Sequence, residues 1–550
     1  MPPKRKDLPK ANPKTRAKLQ EPQSESDFLE AADDFEQAAG KWRAGDAAKA
    51  LRFYNRAIDT YNTGLQRYPT SFDLAYNKAN LEYNMIQDEK IVPILGSRID
   101  LLQETLRSHR FAMGLNPEIV EIVFNTGQVL TSLAEALLDT WDPEARATAR
   151  QFLEEAVALF TKSLLKQQEE YEQMQTGIAN AQASQEESAR LVPSGDVRET
   201  GANYREPSSI SSSVSEAPEE WATVVEPVTP DTILDTCTAQ LGAYTTLLDL
   251  YSTSDYSSIE LQASHILNTA QNTIPAYIDR TGTSAISTQH EEPAPGPVLS
   301  IGSPPSMEEH TSPKEDALLA RANFYAALVE VKYRNDQCTT PEYASETENI
   351  YAPLLPTEDT GKLSLSQMNA LSAYADALFN IASAISDSPR YTSSSQSFSQ
   401  DLDIQWTTLT QAQTILTKLS TGPHASVLPF SQLSRIFLAR GDTDLFRFRL
   451  SLLESAKPAW VKSKNVLVSN AGVFYRGART YAEKAGVVDV HKTADAKAIV
   501  AEVLKEAVTG SGKKDERWKV RAEDVTRVLQ QMVEEGVIDK ENAEGVVGYL

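Results

Sequence analysis

Phe72-Asp-Leu-Ala-Tyr-Asn77-Lys-Ala79 and Val120-Glu-Ile-Val-Phe124-Asn125-Thr-Gly127 share one pattern: an aromatic residue, then Asn, then one residue, then a small one. Each run sits a few residues after a proline, Pro69 or Pro117, that closes the helical pattern before it. Packing between paired helices calls for this arrangement. A small residue on the first helix lets the second approach closely, and a small residue midway along the second does the same in return. A terminal proline stops the second helix, because it has no N–H to donate and clashes with the preceding turn. Repetition of such pairs predicts an all-α chain, an α-solenoid that binds other proteins rather than carrying out chemistry.

Three copies can be laid out. The first is Phe35, Ala38, Trp42, Gly45, Asp46, Ala50, Tyr54 and Ala57, with Gly45-Asp46 at the turn between helices. The second is Tyr76, Asn77, Ala79 and Tyr83, then Ala112 and Pro117. The third is Phe124, Asn125, Gly127 and Leu130, then Ala149, Leu153, Ala156 and Phe160. Over residues 31–165 these positions resemble the tetratricopeptide repeat (TPR), a unit of about 34 residues. The first unit runs roughly two turns past that register. Ile58, Tyr61, Leu65 and Tyr68 stay on one helical stripe there, so a longer second helix is expected. Val92-Pro-Ile-Leu-Gly96 and Thr140-Trp-Asp-Pro143 read as loop expansions, tolerated because each repeat touches mainly its neighbours.

Composition divides the rest of the chain. Residues 1–26 form a basic tail without apolar periodicity, expected to be disordered, in which Lys4, Arg5 and Lys6 read as a nuclear-import signal. Residues 27–175 are the repeat block, whose apolar stripe fades over Gln167–Glu172. Residues 183–228 turn acidic and Ser-rich and cannot bury enough apolar surface to offset chain entropy; they are expected to be a disordered insert. A TPR-like helix pair follows at 231–281, then a disordered Pro/Ser-rich linker at 282–313, then a helical TPR-like continuation at 314–490. In that continuation Leu438-Ala-Arg-Gly441-Asp442 repeats the inter-helix turn at Arg43–Asp46, and Asn470–Ala478 has the small residues of a first helix. Residues 491–550 read as charged helices that cap the exposed end. The fold class is therefore all-α, an α-solenoid of TPR-like helix pairs with disordered inserts.

No constellation of catalytic or metal-binding residues emerges. The six histidines have no metal-ligand spacing. Cys237 and Cys338 are far apart and read as small core residues, which excludes a disulfide framework. Gly510-Ser-Gly-Lys-Lys514 lacks the frame and preceding strand of a phosphate loop. No catalytic residue, cofactor, metal or small-molecule substrate is expected. Neither a signal core nor a membrane span is apparent, which places the chain in the cytoplasm, the nucleus or both. Lys plus Arg number 53 against 76 Asp plus Glu, a net charge of -23. That surface repels nucleic acid and anionic membranes and attracts basic proteins.

Some TPR proteins hold the acidic tail of heat-shock chaperones through a carboxylate clamp. At the corresponding positions this chain has Phe35, Ala39, Glu121 and Asn125, and only Asn77 matches; Glu121 would repel the carboxylate. The resemblance instead implies a concave face formed by first helices, on which Asn77, Asn80, Asn84, Asn125 and Gln128 can bond a bound backbone. The expected partner is another protein, the chain serving as an adaptor or complex subunit. The alternative is an acidic escort, or assembly chaperone, for a basic nuclear or ribosomal protein. Its architecture resembles that of acidic histone chaperones with interrupted TPRs, without their long acidic insert.

Overall fold

The computed structural model describes residues 21–88, 90–140, 142–190, 227–251, 263–281, 311–357, 361–510 and 516–549. Among them every regular element is a helix and no strand forms. Two compact units result, Met1–Pro117 and Glu118–Leu550. The division falls inside the 27–175 block, where the second repeat ends.

In the first unit α1 (Glu25–Arg43) packs on α2 (Ala47–Arg67) and α3 (Phe72–Gln87) on α4 (Arg98–Leu115), with α2 against α3 joining the pairs. Polar caps start these helices. Ser24 and Asp27 form a reciprocal capping box, and the amides of Ser24 and Gln23 hold the Asp27 carboxyl below its ordinary range. Asp46 caps α2 by accepting from the Lys49 amide at 2.9 Å, so Gly45-Asp46 is the turn the repeat pattern requires. The 21-residue α2 is the expected long second helix; Tyr61 is buried in it and donates to Glu36 of α1 at 2.7 Å.

Two details differ from the sequence reading. The tail ends before α1, and Arg67 and Tyr68 donate to the carbonyls of Pro22 and Gln23; Lys4, Arg5 and Lys6 lie outside the described residues. Phe28, Ala32 and Ala39 form the buried stripe of α1. Ala38 is only half-buried, and Trp42 is 42% exposed beneath the Lys49 ammonium.

The second unit opens with α5 (Val120–Leu138) against α6 (Pro143–Arg190). Gly127 makes the pair possible: a Cβ there would lie 2.7 Å from Phe160 Cε1. Ala149, Leu153 and Ala156 are fully buried as the pattern requires. With 48 residues, α6 continues beyond 175 into the expected insert; residues 191–226 of that insert lie outside the described residues. Tyr171, in the stretch where the apolar stripe is expected to fade, is buried edge-on against Tyr277, 5.6 Å between ring centroids.

Next, α7 (Pro230–Leu248) packs on α6, and residues 263–281 return through a π turn at Thr269–Thr273 into α8 (Ile274–Thr281). The π turn ends at Thr273, two residues before Pro275, which cannot donate to a regular helical ladder. Buried Gln240 ties the three segments, donating to Thr161 of α6 and accepting from Thr269, both at 2.8 Å. Residues 282–310 of the expected linker lie outside the described residues. The chain continues through α9 (Pro313–Arg334), α10 (Thr340–Tyr351), α11 (Leu365–Asp387), α12 (Phe398–Leu419), α13 (Gly422–Val427), α14 (Phe430–Ser451) and α15 (Pro458–Ala485). Sequence reasoning passed over α10 because it is mostly polar. Its buried residues are Tyr343, Thr347, Tyr351 and Thr340, and its start is signalled by a Thr339–Glu342 capping box.

Gly441-Asp442 is not a turn; both residues lie inside α14, buried. The glycine admits the ring of Tyr475 from α15, since a Cβ would stand 2.3 Å from its Cε1. Asp442 Oδ1 accepts from the Tyr475 hydroxyl at 2.9 Å and from Lys497 Nζ at 2.8 Å. The C-terminal reading also changes. Rather than capping an end, α16 (Val488–Thr509) buries Ala494 through Ala501 as a continuous run and packs on α15, on α18 (Ala522–Glu534) and on α19 (Lys540–Tyr549); α17 (Glu516–Val520) precedes α18. Burial alone would pull the Lys497 ammonium down, yet Asp442 and Glu535 outweigh it and hold it above its usual range.

Removing that cation exposes the cost of the cluster. Lys497→Met should destabilise the chain by about 3–5 kcal/mol, because Asp442 is left as a buried unpaired charge. Adding Asp442→Asn should recover part of the loss, read as the urea midpoint of unfolding.

Candidate protein-interaction site

In the first unit an open cleft of about 240 Å³ lies between α2, α3 and α4. Leu65, Ala75 and Phe111 supply its apolar wall, and Lys78, Glu104, Arg107 and Ser108 its polar part. Phe111 is 47% exposed although it sits on a helix that buries Leu102, Leu106 and Ala112. The charges are matched: Lys78 pairs with Glu82 at 3.5 Å and Arg107 with Glu104 at 2.7 Å. Burial pushes the Glu82 carboxyl up against the opposing pull of Lys78. An apolar floor with an internally neutralised rim suits an uncharged apolar side chain. Burying one leucine or phenylalanine is worth about 1.5–3 kcal/mol.

The sequence-derived residues fall in both units. Asn77, Asn80 and Asn84 lie on α3 in the first unit, and Asn125 and Gln128 on α5 in the second. At 100° per residue the three α3 asparagines share a stripe, with Asn84 exposed and the other two half-buried. Ala75 and Lys78, which line the cleft, occupy another face of the same helix. Asn125 and Gln128 are each half-buried, three residues apart. Ala39, at a clamp position, is completely buried and has no surface to offer a ligand. Phe111 is the residue that sequence reasoning missed. Its only signal was an aromatic residue directly before the signature position Ala112.

Cys237 is fully buried, and desolvation pushes its thiol up to about 12; Cys338 is half-buried rather than core. Among the described residues no group of three or more His, Cys, Asp or Glu could hold a metal ion, and no helix is long and apolar enough to cross a membrane.

No family model matches the chain. It is 35% identical over 130 residues to the UPF0656 protein C926.02 of Schizosaccharomyces pombe, a match spanning 24% of this chain and 27% of that relative. The chain thus matches about a quarter of the relative's length, and the relative's name assigns no activity. Among solved structures, a circular tandem repeat protein with novel repeat topology and enhanced subunit contact surfaces aligns over 96% of this chain and 99% of its own. Identity is 11% and the TM-score 0.27, a score that has no bearing on fold or function.

Beside the cleft residue Ser108, His109 is completely buried, its Nδ1 3.0 Å from the Thr105 carbonyl and its ring 6.1 Å from that of Tyr83. Burial drives its pKa down from 6.5 to about 4, against the small opposite effect of the Thr105 bond. The unfolded chain therefore takes up a proton near pH 6.5 that the folded unit refuses until about pH 4. Stability should be lost progressively as pH falls through that window, by up to about 3 kcal/mol. Hydrogen-exchange protection of α3 and α4, corrected for intrinsic rates, should decline accordingly in the wild type and stay flatter in His109→Leu.

Proposed function

We propose that this chain is a non-enzymatic scaffold of paired helices that binds another protein, as an adaptor or a subunit of a complex. The observation that carries this reading is the cleft of the first unit. Phe111 stands exposed beside Leu65 and Ala75, within a rim whose charges already satisfy one another. Such a site rewards an apolar anchor and contains no pair of titratable groups arranged for acid–base work. The α3 asparagines, on their own stripe, offer side-chain amides to the backbone of a bound segment.

A second reading, an escort for a basic nuclear or ribosomal protein, has one observation in its favour. Asp27, Glu30, Asp33 and Asp34 are all exposed on α1, giving the first unit an acidic face. The import role of Lys4, Arg5 and Lys6 belongs to this reading, as does residence in the nucleus as well as the cytoplasm.

The two separate in one purification. Wild-type chain and Phe111→Asp are used as affinity baits, and partners are identified by mass spectrometry at 50 and 200 mM salt. The adaptor reading expects a stoichiometric partner that persists in salt and drops at least tenfold with Phe111→Asp. A basic partner retained by Phe111→Asp but lost at 200 mM salt would favour the escort. Equal recovery of all proteins by both baits at both salts would defeat both readings.

A further inference from the structure

The acidity of the chain has a local exception. Five cations, Lys462, Lys464, Arg476, Arg479 and Lys484, lie on α15 against the single carboxylate Glu483. Arg476 and Arg479 are engaged with Glu502 at 3.2 Å and Asp495 at 2.6 Å of α16, and they hold that helix in place. Lys462 and Lys484 are exposed.

Between them stand two apolar residues in the open: Val466 is 59% exposed and Val473 55%. Intervals of four, seven and eleven residues put Lys462, Val466, Val473 and Lys484 on one stripe, because each is close to a whole number of helical turns. At 1.5 Å per residue the stripe is about 33 Å long. Beside its C-terminal end the α14–α15 seam adds half-exposed Phe430, whose ring centroid lies 6.0 Å from that of Tyr481. Lys484 Nζ stands 5.5 Å from the Phe430 ring and 5.4 Å from the Tyr481 ring, so its aliphatic stem lies along apolar ground and its charge is held near the stripe.

We infer that this stripe of α15 docks an acidic amphipathic helix of a partner protein. The partner lays apolar residues over Val466 and Val473 and places carboxylates against Lys462 and Lys484. Charge complementarity selects the occupant: a basic helix would face two exposed ammonium groups. The net charge of -23 does not prevent approach, because exposed charges farther away than the screening length of about 8 Å at physiological ionic strength contribute little. The surface is separate from the first-unit cleft and of opposite preference to the acidic face of α1.

The probe is a fluorescein-labelled 20-residue synthetic helix with leucines on one face and glutamates on the other, titrated with the full-length chain by fluorescence anisotropy. Its lysine-for-glutamate counterpart serves as control. The glutamate probe should bind, more weakly at 200 than at 50 mM salt. Its affinity should fall at least tenfold in Lys462→Glu/Lys484→Glu and in Val473→Asp, but not in Phe111→Asp. Should either charge-reversed or Asp variant lose its helical circular-dichroism signal, Lys462→Gln/Lys484→Gln replaces it, with a smaller loss still expected. Absence of binding by the glutamate probe, equal binding to wild type and the Lys462/Lys484 variants, or loss only in Phe111→Asp would each overturn the assignment. So would a lysine probe that binds as tightly and with the same sensitivity.

Discussion

Close approach of helix backbones beneath an aromatic ring is the constraint on which both units depend. Phe160 lies over Gly127, Tyr475 over Gly441 and Phe437 over Gly477. In those three cases a methyl group on the glycine would occupy the space of the ring. In the first unit a Cβ on Gly64 would stand 3.0 Å from Leu74 and 3.2 Å from Phe28, close enough that those side chains would have to shift. Glycine in a helix interior costs about 1 kcal/mol relative to alanine, and here the burial of a large ring offsets it. The same rule, small against large across a helical seam, serves the regular pairs at the beginning of the chain and the irregular ones near its end.

That rule explains what was legible in the sequence. Gly127, Ala149, Ala156 and the turn at Gly45-Asp46 could be found because their spacing follows from packing alone. The stop of each pair was readable from Pro69 and Pro117. Gly441-Asp442 misled for an instructive reason: the dipeptide has identical local chemistry at a turn and inside a helix, and only the arrival of Tyr475 and Lys497 from distant helices decides between them. Likewise α16 looked like a solvated cap because Asp495, Lys497 and Glu502 are charged. Their partners, Arg479, Asp442 and Arg476, lie on other helices, where no local pattern reveals them. The candidate surface was less legible than the fold. Asn77, Asn80 and Asn84 could be placed on one stripe from periodicity, whereas the prominence of Phe111 depends on how α2 and α3 flank it.

Charge is used in two opposite ways. Exposed carboxylates dominate the surface and, on α1, form a continuous acidic face. In the second unit charge is matched across helices: Lys497 is taken inside beside Asp442 and Glu535, and the half-exposed Arg479 and Arg476 pair with Asp495 and Glu502. Burying paired charge adds little net stability over an apolar core of the same shape. It does penalise misalignment, since a shift of α16 along α15 by one turn would separate all of these pairs together. The apolar residues of α16 would tolerate such a slip far better.

Synthesis order gives the buried cluster a further meaning. Asp442 precedes its cation by 55 residues. At about 5–20 residues per second, α14 emerges several seconds before the lysine that neutralises its carboxylate exists. During that interval the Asp442 carboxylate stays hydrated, and packing α15 over it would bury an unpaired charge. The first unit, whose caps and tyrosine bonds are drawn from its own residues, is already complete by then. Closure of the second unit's polar centre thus waits on α16, whereas the caps and tyrosine bonds of the first unit need nothing made after it.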